Sequence, residues 1–171
     1  MPGSPAPEEA GLRFPLAFAM LLCPALASAN CLPPWQTHFA CDLPERNARA
    51  EFCRIAEPAR HPGQPEHYYS FVRGTQPAEL YFQTDSYRFT TKDMDPDHPH
   101  HFRVGVGYAR GNTVYAFFVN QRRSDQRIVG DAEVRVYEST EAFSSLTRHN
   151  EQLSLRCAPG SVVADTAAIA P

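Results

Sequence analysis

The chain has 171 residues, of which 43% are hydrophobic and 20% are charged, and its net charge at pH 7 is −3. This length and composition suit one globular domain. The slight negative charge provides no electrostatic basis for binding nucleic acid or an anionic membrane surface, so neither is expected as a partner.

The chain begins with a pattern typical of an exported protein. An apolar stretch over residues 14–27 ends in the small-residue triplet Ala-Ser-Ala at 27–29. A hydrophobic region of about this length before a small-x-small site is typical of a cleaved signal peptide. We therefore predict a signal peptide over residues 1–29 and a mature chain that starts at Asn30. The stretch is too short to span a bilayer and contains two prolines, so we expect no membrane insertion after cleavage.

The mature chain keeps four cysteines: Cys31, Cys41, Cys53 and Cys157. An even number in an exported chain indicates two disulfide bonds, which form in the periplasm or in the medium. A hairpin over residues 38–55 that turns at 45–47 would set Cys41 opposite Cys53 and leave Cys31 to pair with Cys157. The alternative arrangement pairs Cys31 with Cys41 and Cys53 with Cys157, and the sequence does not exclude it. Neither a Cys-x-x-Cys motif nor a zinc-type spacing is present, so a structural role is expected.

Alternation of apolar and polar residues predicts short β-strands from Tyr68 onward. The first three segments with this period lie at residues 69–71, 80–83 and 87–90. Two more follow at 132–137 and 153–157, and in the last one Cys157 faces the same side as both leucines. Residues 139–148 form either a short helix or a long connection.

The best-defined element is a hairpin over residues 101–120. Gly111 and Asn112 suit its two-residue turn, because glycine tolerates a positive φ at the first position. The expected cross-strand pairs on one face are Tyr108 with Tyr115, Val106 with Phe117, and Val104 with Val119. On the other face Gly105 lies opposite Phe118 and Gly107 opposite Ala116. A slip of one residue would mix the two faces, so the pattern specifies the register.

These elements predict an all-β fold, a single antiparallel β-sandwich or small barrel of about eight strands with little helix. The disulfide-stapled β domain is expected to cover residues 30–157. The tail over 158–171 is small, apolar and nearly uncharged, and we predict that it is disordered.

One loop concentrates side chains that can bind a metal ion: Asp93, Asp95, Asp97, His98, His100 and His101. Carboxylates and imidazoles together suit zinc, copper or nickel. A calcium-binding EF-hand is excluded, because His98 and Val104 stand where its loop needs glycine and glutamate. A polar hairpin tip in solvent is the structural alternative, and no cofactor is assigned.

Two sets of side chains are candidates for a binding surface. Tyr68 and Tyr81 lie off the main apolar face of their strands, where an aromatic ring would be exposed. The second set is a basic patch around the loop after the central hairpin, made of Arg110, Arg122, Arg123 and Arg127. Acidic residues lie among these arginines, so a loop that compensates its own charge is the structural alternative.

The sequence contains neither a Gly-x-Ser-x-Gly elbow nor a His-Glu-x-x-His helix. The cysteines are expected to form disulfides, which leaves no thiol nucleophile. We therefore predict a protein without enzymatic activity.

The order of several short motifs resembles that of small exported bacterial proteins of unknown function that end on a strand with a cysteine. The likeness covers residues 40–157, and its motifs are Pro-Ala-Glu-Leu-Tyr at 77–81, Thr-Val-Tyr at 113–115, Gly-Asp-Ala-Glu-Val-Arg-Val at 130–136, and Leu-Arg-Cys at 155–157. In size, disulfides and all-β build the chain is more distantly similar to periplasmic lysozyme inhibitors of the C-type family. It lacks the Ser-x-Ser-Gly-x-Arg-Tyr loop that enters the lysozyme cleft in that family.

The sequence thus predicts an exported, non-catalytic binding module of the periplasm or the medium. Its expected partner is an envelope or extracellular protein, a glycan or a small molecule, bound through loops or a sheet edge of a rigid scaffold. Metal handling through the loop over residues 93–101 is the alternative prediction, and a lysozyme-inhibitor-like function is a second one.

Overall fold

The computed structural model describes residues 31–55, 59–93, 101–122, 124–125, 127–145 and 150–165, with only the backbone described at 91–93. The predicted signal peptide lies outside the described residues. The same holds for several predicted site residues: Asp95, Asp97, His98, His100 and Arg123.

The described chain is built almost entirely from β-strands. In chain order they are β1 Gln36–Leu43, β2 Ala48–Arg54, β3 His67–Arg73, β4 Leu80–Thr84, β5 Tyr87–Asp93, β6 His101–Arg110, β7 Thr113–Arg122, β8 Glu133–Tyr137, β9 Leu153–Arg156 and β10 Val163–Ala164. Helix α1 covers Thr140–Ser145, and a 3-10 turn covers Pro44–Arg46. Within the described ranges no helix has the length and apolar character needed to cross a bilayer.

The strands form two antiparallel sheets of five strands each. The first sheet has the order β10-β1-β2-β3-β4 and the second the order β5-β6-β7-β8-β9. The chain crosses from the first sheet to the second between β4 and β5, and it returns to the first with β10. The predicted antiparallel β-sandwich with little helix is therefore confirmed, with ten strands instead of about eight.

The main core is an apolar layer between the two sheets, formed by alternate residues of the strands. Its largest side chains include Phe39, Phe52, Tyr69 and Phe82 from the first sheet and Tyr108, Phe117 and Leu155 from the second. Phe39 stacks on Phe117 with ring centroids 5.0 Å apart. Burial of each such side chain stabilises the fold by about 1.5–3 kcal/mol.

The hairpin of β6 and β7 has the predicted register at every pair, including Tyr108 with Tyr115 and Gly105 with Phe118. Gly111 adopts a φ of 60° in its turn. The turn chemistry and the alternation therefore specify the same register, as expected for a hairpin with one buried face.

The disulfide pairing differs from both predicted arrangements. Cys31 is bonded to Cys53, and Cys41 is bonded to Cys157. The hairpin of β1 and β2 forms, but its register sets Cys41 opposite Ala50. Cys41 therefore faces the core and meets Cys157, whereas Cys53 faces outward and meets Cys31. Two cysteines on opposite faces of a hairpin cannot bond, because a disulfide needs convergent side chains.

The prediction of a disordered tail is wrong as far as residue 165. Strand β10 pairs with Phe39 and Ala40 of β1. The backbone N–H of Ala158 donates to the Asp42 carbonyl, and that of Asp165 donates to the His38 carbonyl. Pairing with the open edge of β1 orders this segment despite its weak local pattern. Residues 166–171 lie outside the described residues.

Candidate binding surface

Strands β1–β4 turn alternate side chains away from the core, and these form what we call the outer face. Its members on the three neighbouring strands β2, β3 and β4 are Arg49, Glu51, Cys53, Tyr68, Ser70, Val72, Tyr81 and Gln83. Neither the second sheet nor the described helix packs on this face, so a partner could bind to its accessible side chains.

An aromatic patch, defined here as Leu32, Trp35, Tyr68 and Tyr81, lies at one end of the outer face. The ring of Tyr68 is in the middle, with its centroid 4.9 Å from that of Trp35 and 5.4 Å from that of Tyr81. Leu32 is 74% exposed and Tyr81 is 50% exposed. Two of the four large apolar side chains exposed among the described residues therefore belong to residues next to Tyr68, and groups of exposed apolar side chains mark interaction sites.

The segment before β1 holds the aromatic patch in place. The Cys31–Cys53 disulfide attaches this segment to the outer side of β2. The backbone N–H of Leu32 donates to the Tyr68 hydroxyl at 3.1 Å. Burial raises the pKa of Tyr68 to about 12, so this hydroxyl keeps its proton at neutral pH. The patch is therefore assembled before any ligand binds, which lowers the entropy cost of binding.

Tyr81 is oriented by its neighbour on the same strand. The Gln83 side-chain amide donates to the Tyr81 hydroxyl at 2.8 Å. Both side chains are exposed, so the Tyr81 ring presents a face to solvent while its polar end is held.

A polar network continues the outer face toward the turn between β1 and β2. The Arg49 guanidinium forms ion pairs with Asp42 and with Glu51, the latter at 3.3 Å. A shallow pocket of about 370 Å³ adjoins the network and is lined in part by Arg49, Val72 and Gly74. Along β2 the distance from Cys53 to Arg49 is about 13 Å. The face therefore offers an aromatic end and a charged end within reach of one extended ligand.

The structure confirms the predicted exposure of Tyr81 but not that of Tyr68. Tyr68 is 4% exposed, because the segment before β1 covers it. Sequence reasoning missed Leu32 and Trp35 as site residues. Their place on the outer face depends on the Cys31–Cys53 bond, which the sequence does not specify.

The predicted basic patch is not formed as one unit. Arg110 pairs with Thr113 at the tip of the β6–β7 hairpin, whereas Arg122 pairs with His101 at the opposite end. This separation is about 30 Å along the strands. Arg122 forms an ion pair with Asp125 at 3.2 Å, as the structural alternative expected. Arg127 is exposed nearby, and its carbonyl accepts a hydrogen bond from the Arg122 backbone.

The predicted metal loop lies almost wholly outside the described residues. Asp93 ends β5 and His101 begins β6, so these two flank the loop. In the part of the chain that the structure describes, no three histidine, cysteine or acidic side chains are grouped to hold a metal ion. Metal binding by the loop stays a prediction.

Comparison of the chain with models of known protein families, with curated protein sequences and with solved structures found no significant match. The resemblances to exported bacterial proteins and to C-type lysozyme inhibitors therefore stay predictions. The geometry of the outer face remains the basis for inferring a function.

Proposed function

We propose that this protein is an exported, non-catalytic binding module of the periplasm or the medium and that its outer face binds an oligosaccharide. The observation that carries the proposal is the aromatic patch, in which the exposed ring of Tyr81 and the partly buried ring of Trp35 pack on either side of Tyr68, beside polar side chains. The two disulfides support export, because such bonds persist in oxidising compartments.

The chemistry of the outer face favours a sugar ligand. A sugar ring has an apolar C–H face and a rim of hydroxyl groups. The rings of Tyr81 and Trp35 suit the apolar face, and the side chains of Gln83, Glu51 and Arg49 suit the hydroxyl groups as donors and acceptors. An aromatic ring and adjacent polar side chains occur together in sites that recognise a ligand by stacking and hydrogen bonding.

Fluorescence tests the proposal directly, because Trp35 is the single tryptophan of the chain. We expect titration of the mature protein with tetrasaccharides, such as chitotetraose and cellotetraose, to change its emission. Removal of one stacking ring by Tyr81→Ala should weaken binding about tenfold.

Phe89→Ala is the matched control, since it removes an exposed ring from the second sheet and should leave the affinity unchanged. Unchanged emission with every oligosaccharide at millimolar concentration would overturn the glycan proposal. Binding that Tyr81→Ala does not weaken would overturn the assignment of the site to the outer face.

A further inference from the structure

Two histidines are buried between the sheets at the end where β4 leads into β5. His38 is 3% exposed and His67 is 5% exposed. With Tyr87 and Tyr108 they form what we call the histidine cluster. The ring centroid of His67 lies 5.3 Å from that of Tyr87 and 4.8 Å from that of Tyr108, and the two imidazole centroids are 6.3 Å apart.

A β-bulge places His38 in the core. Strand β1 pairs with β2 at Thr37 opposite Cys53 and again at Phe39 opposite Phe52. His38 is therefore an additional residue on β1, and a bulge of this kind redirects a side chain. As a result the rings of His38 and Phe39 lie side by side, with centroids 4.4 Å apart.

The hydrogen bonds of the cluster leave one buried nitrogen of each imidazole without a partner among the described residues. Nδ1 of His38 lies 2.8 Å from the Tyr108 hydroxyl, which donates to the Cys53 carbonyl at 3.4 Å. Since a carbonyl can only accept, the hydroxyl proton points to Cys53, and His38 donates from Nδ1. Nε2 of His38 and Nδ1 of His67 are buried and have no hydrogen-bond partner among the described residues.

The charged groups that face the two histidines do not compensate the positive charge that protonation would place on the buried imidazoles. These groups are Arg54 on β2, Arg60 and Glu66 before β3, Asp85 before β5, and Asp165 after β10. Glu66 is 3.9 Å from Nε2 of His67. Burial outweighs the carboxylates: together with His67 and Arg54 it lowers the pKa of His38 to about 4. Burial also lowers the pKa of His67.

We propose that the histidine cluster is an acid-sensitive switch, in which protonation of His38 and His67 opens this end of the sandwich and releases β10 from β1. An imidazolium whose new N–H has no partner is costly to bury, so it is stable only where water can reach it. The carbonyl of His38 accepts a hydrogen bond from Asp165. Movement of His38 into solvent therefore breaks the contact that ends β10.

The direction of the pH dependence follows from the lowered pKa values. An opened or unfolded histidine has a pKa near 6.5, so between pH 6.5 and about 4 the open form binds more protons than the closed form. Opening is therefore favoured progressively as pH falls through this range. From pH 7 to pH 5 the opening equilibrium should rise about 20-fold through His38 alone.

Hydrogen exchange of the disulfide-intact protein tests the switch without any ligand, so its outcome is independent of the oligosaccharide proposal. We expect amides of β10 and of the first half of β1 to show this increase in opening at pH 5, after correction for the intrinsic exchange rate. The centre of the β6–β7 hairpin should not change.

Two variants remove the titrating groups while keeping the packing. His38→Gln retains a donor toward Tyr108, and His67→Phe retains the stacking on Tyr87; together they should abolish the acid-induced opening. His61→Gln replaces an exposed histidine and should behave as the unmodified protein does. If the double variant shows the same acid-induced increase in opening as the unmodified protein, the proposal is overturned. An NMR titration of the unmodified protein in which both buried imidazoles titrate near pH 6.5 would overturn it as well, whether or not the variants fold.

Discussion

Gly105 allows the ring of Phe118 to lie directly on the backbone of β6. A Cβ at position 105 would lie 2.3 Å from the nearest ring carbon. The guanidinium groups of Arg103 and Arg135 lie over the same ring, 5.4 and 5.3 Å from its centroid. The ring is therefore confined by its neighbours and cannot yield easily to an added methyl group.

We expect Gly105→Ala to destabilise the protein by about 1–3 kcal/mol through overpacking. Urea denaturation followed by circular dichroism measures the loss. The double variant Gly105→Ala with Phe118→Leu should lose less than the sum of the two single variants, because the smaller side chain leaves room for the methyl group. If the double variant loses the full sum of the two single-variant losses, the Phe118 ring does not limit the space at position 105.

The two disulfides have different roles. The Cys41–Cys157 bond joins residues 116 positions apart and lies in the core, whereas the Cys31–Cys53 bond spans 22 positions and holds the aromatic patch. From the loop-closure entropy, the bond that closes the longer loop should add about 5 kcal/mol to the free energy of unfolding, and the bond that closes the shorter loop about 3 kcal/mol.

Paired serine substitutions separate these roles. Replacing Cys41 and Cys157 should cause the larger drop in the urea midpoint and leave the fluorescence response to oligosaccharide intact under native conditions. Replacing Cys31 and Cys53 should cause the smaller drop and abolish the response, since Trp35 is then no longer held on β3. The assignment of roles fails if both variants lose stability and binding to the same extent.

The two hairpins show how far the sequence predicts this fold. In β6–β7 the turn residues and the alternation agree, so the register is determined locally. In β1–β2 the bulge at His38 and the position of Asn47, which has a φ of 47° after the 3-10 turn, shift the register. The bulge carries His38 into the core, where its ring packs against Tyr108 of the second sheet. Local patterning does not encode such a contact between the sheets, so it could not predict the disulfides.

The candidate site was predictable only in part, for a related reason. Tyr81 can be recognised in the sequence because it is an aromatic residue at a position of β4 where the alternation of apolar and polar residues predicts a polar one. Trp35 reaches the outer face because a cysteine four residues earlier bonds to β2, and this contact is not encoded in any local period. The histidine cluster likewise gathers residues from four strands of both sheets, which no spacing along the chain reveals.

The C-terminal segment completes the edge of the first sheet. Strand β10 covers the backbone of β1 at Phe39 and Ala40, and Ser161 accepts a hydrogen bond from the Asp42 backbone. An uncovered β1 would present unpaired N–H and C=O groups, which are a template for pairing with another chain.

Truncation after residue 157 should therefore reduce the free energy of unfolding by about 2 kcal/mol, through the loss of edge hydrogen bonds, and cause concentration-dependent self-association. Sedimentation velocity and urea denaturation measure the two effects. Truncation after Asp165 is the matched control and should cause neither. A monomeric, fully stable protein ending at residue 157 would show that β10 does not protect the edge.

The interleaved disulfides also have a consequence for the export that we propose. A chain that crosses a membrane from its N-terminus exposes Cys31 and Cys41 to oxidants well before Cys157 emerges. Cys41 emerges before Cys53, so oxidation that keeps pace with emergence would first join Cys31 to Cys41, although neither is the native partner of the other. Native pairing then requires attack of a free thiolate on the early bond and exchange of partners. Production of the protein should accordingly depend on a disulfide isomerase as well as on an oxidase.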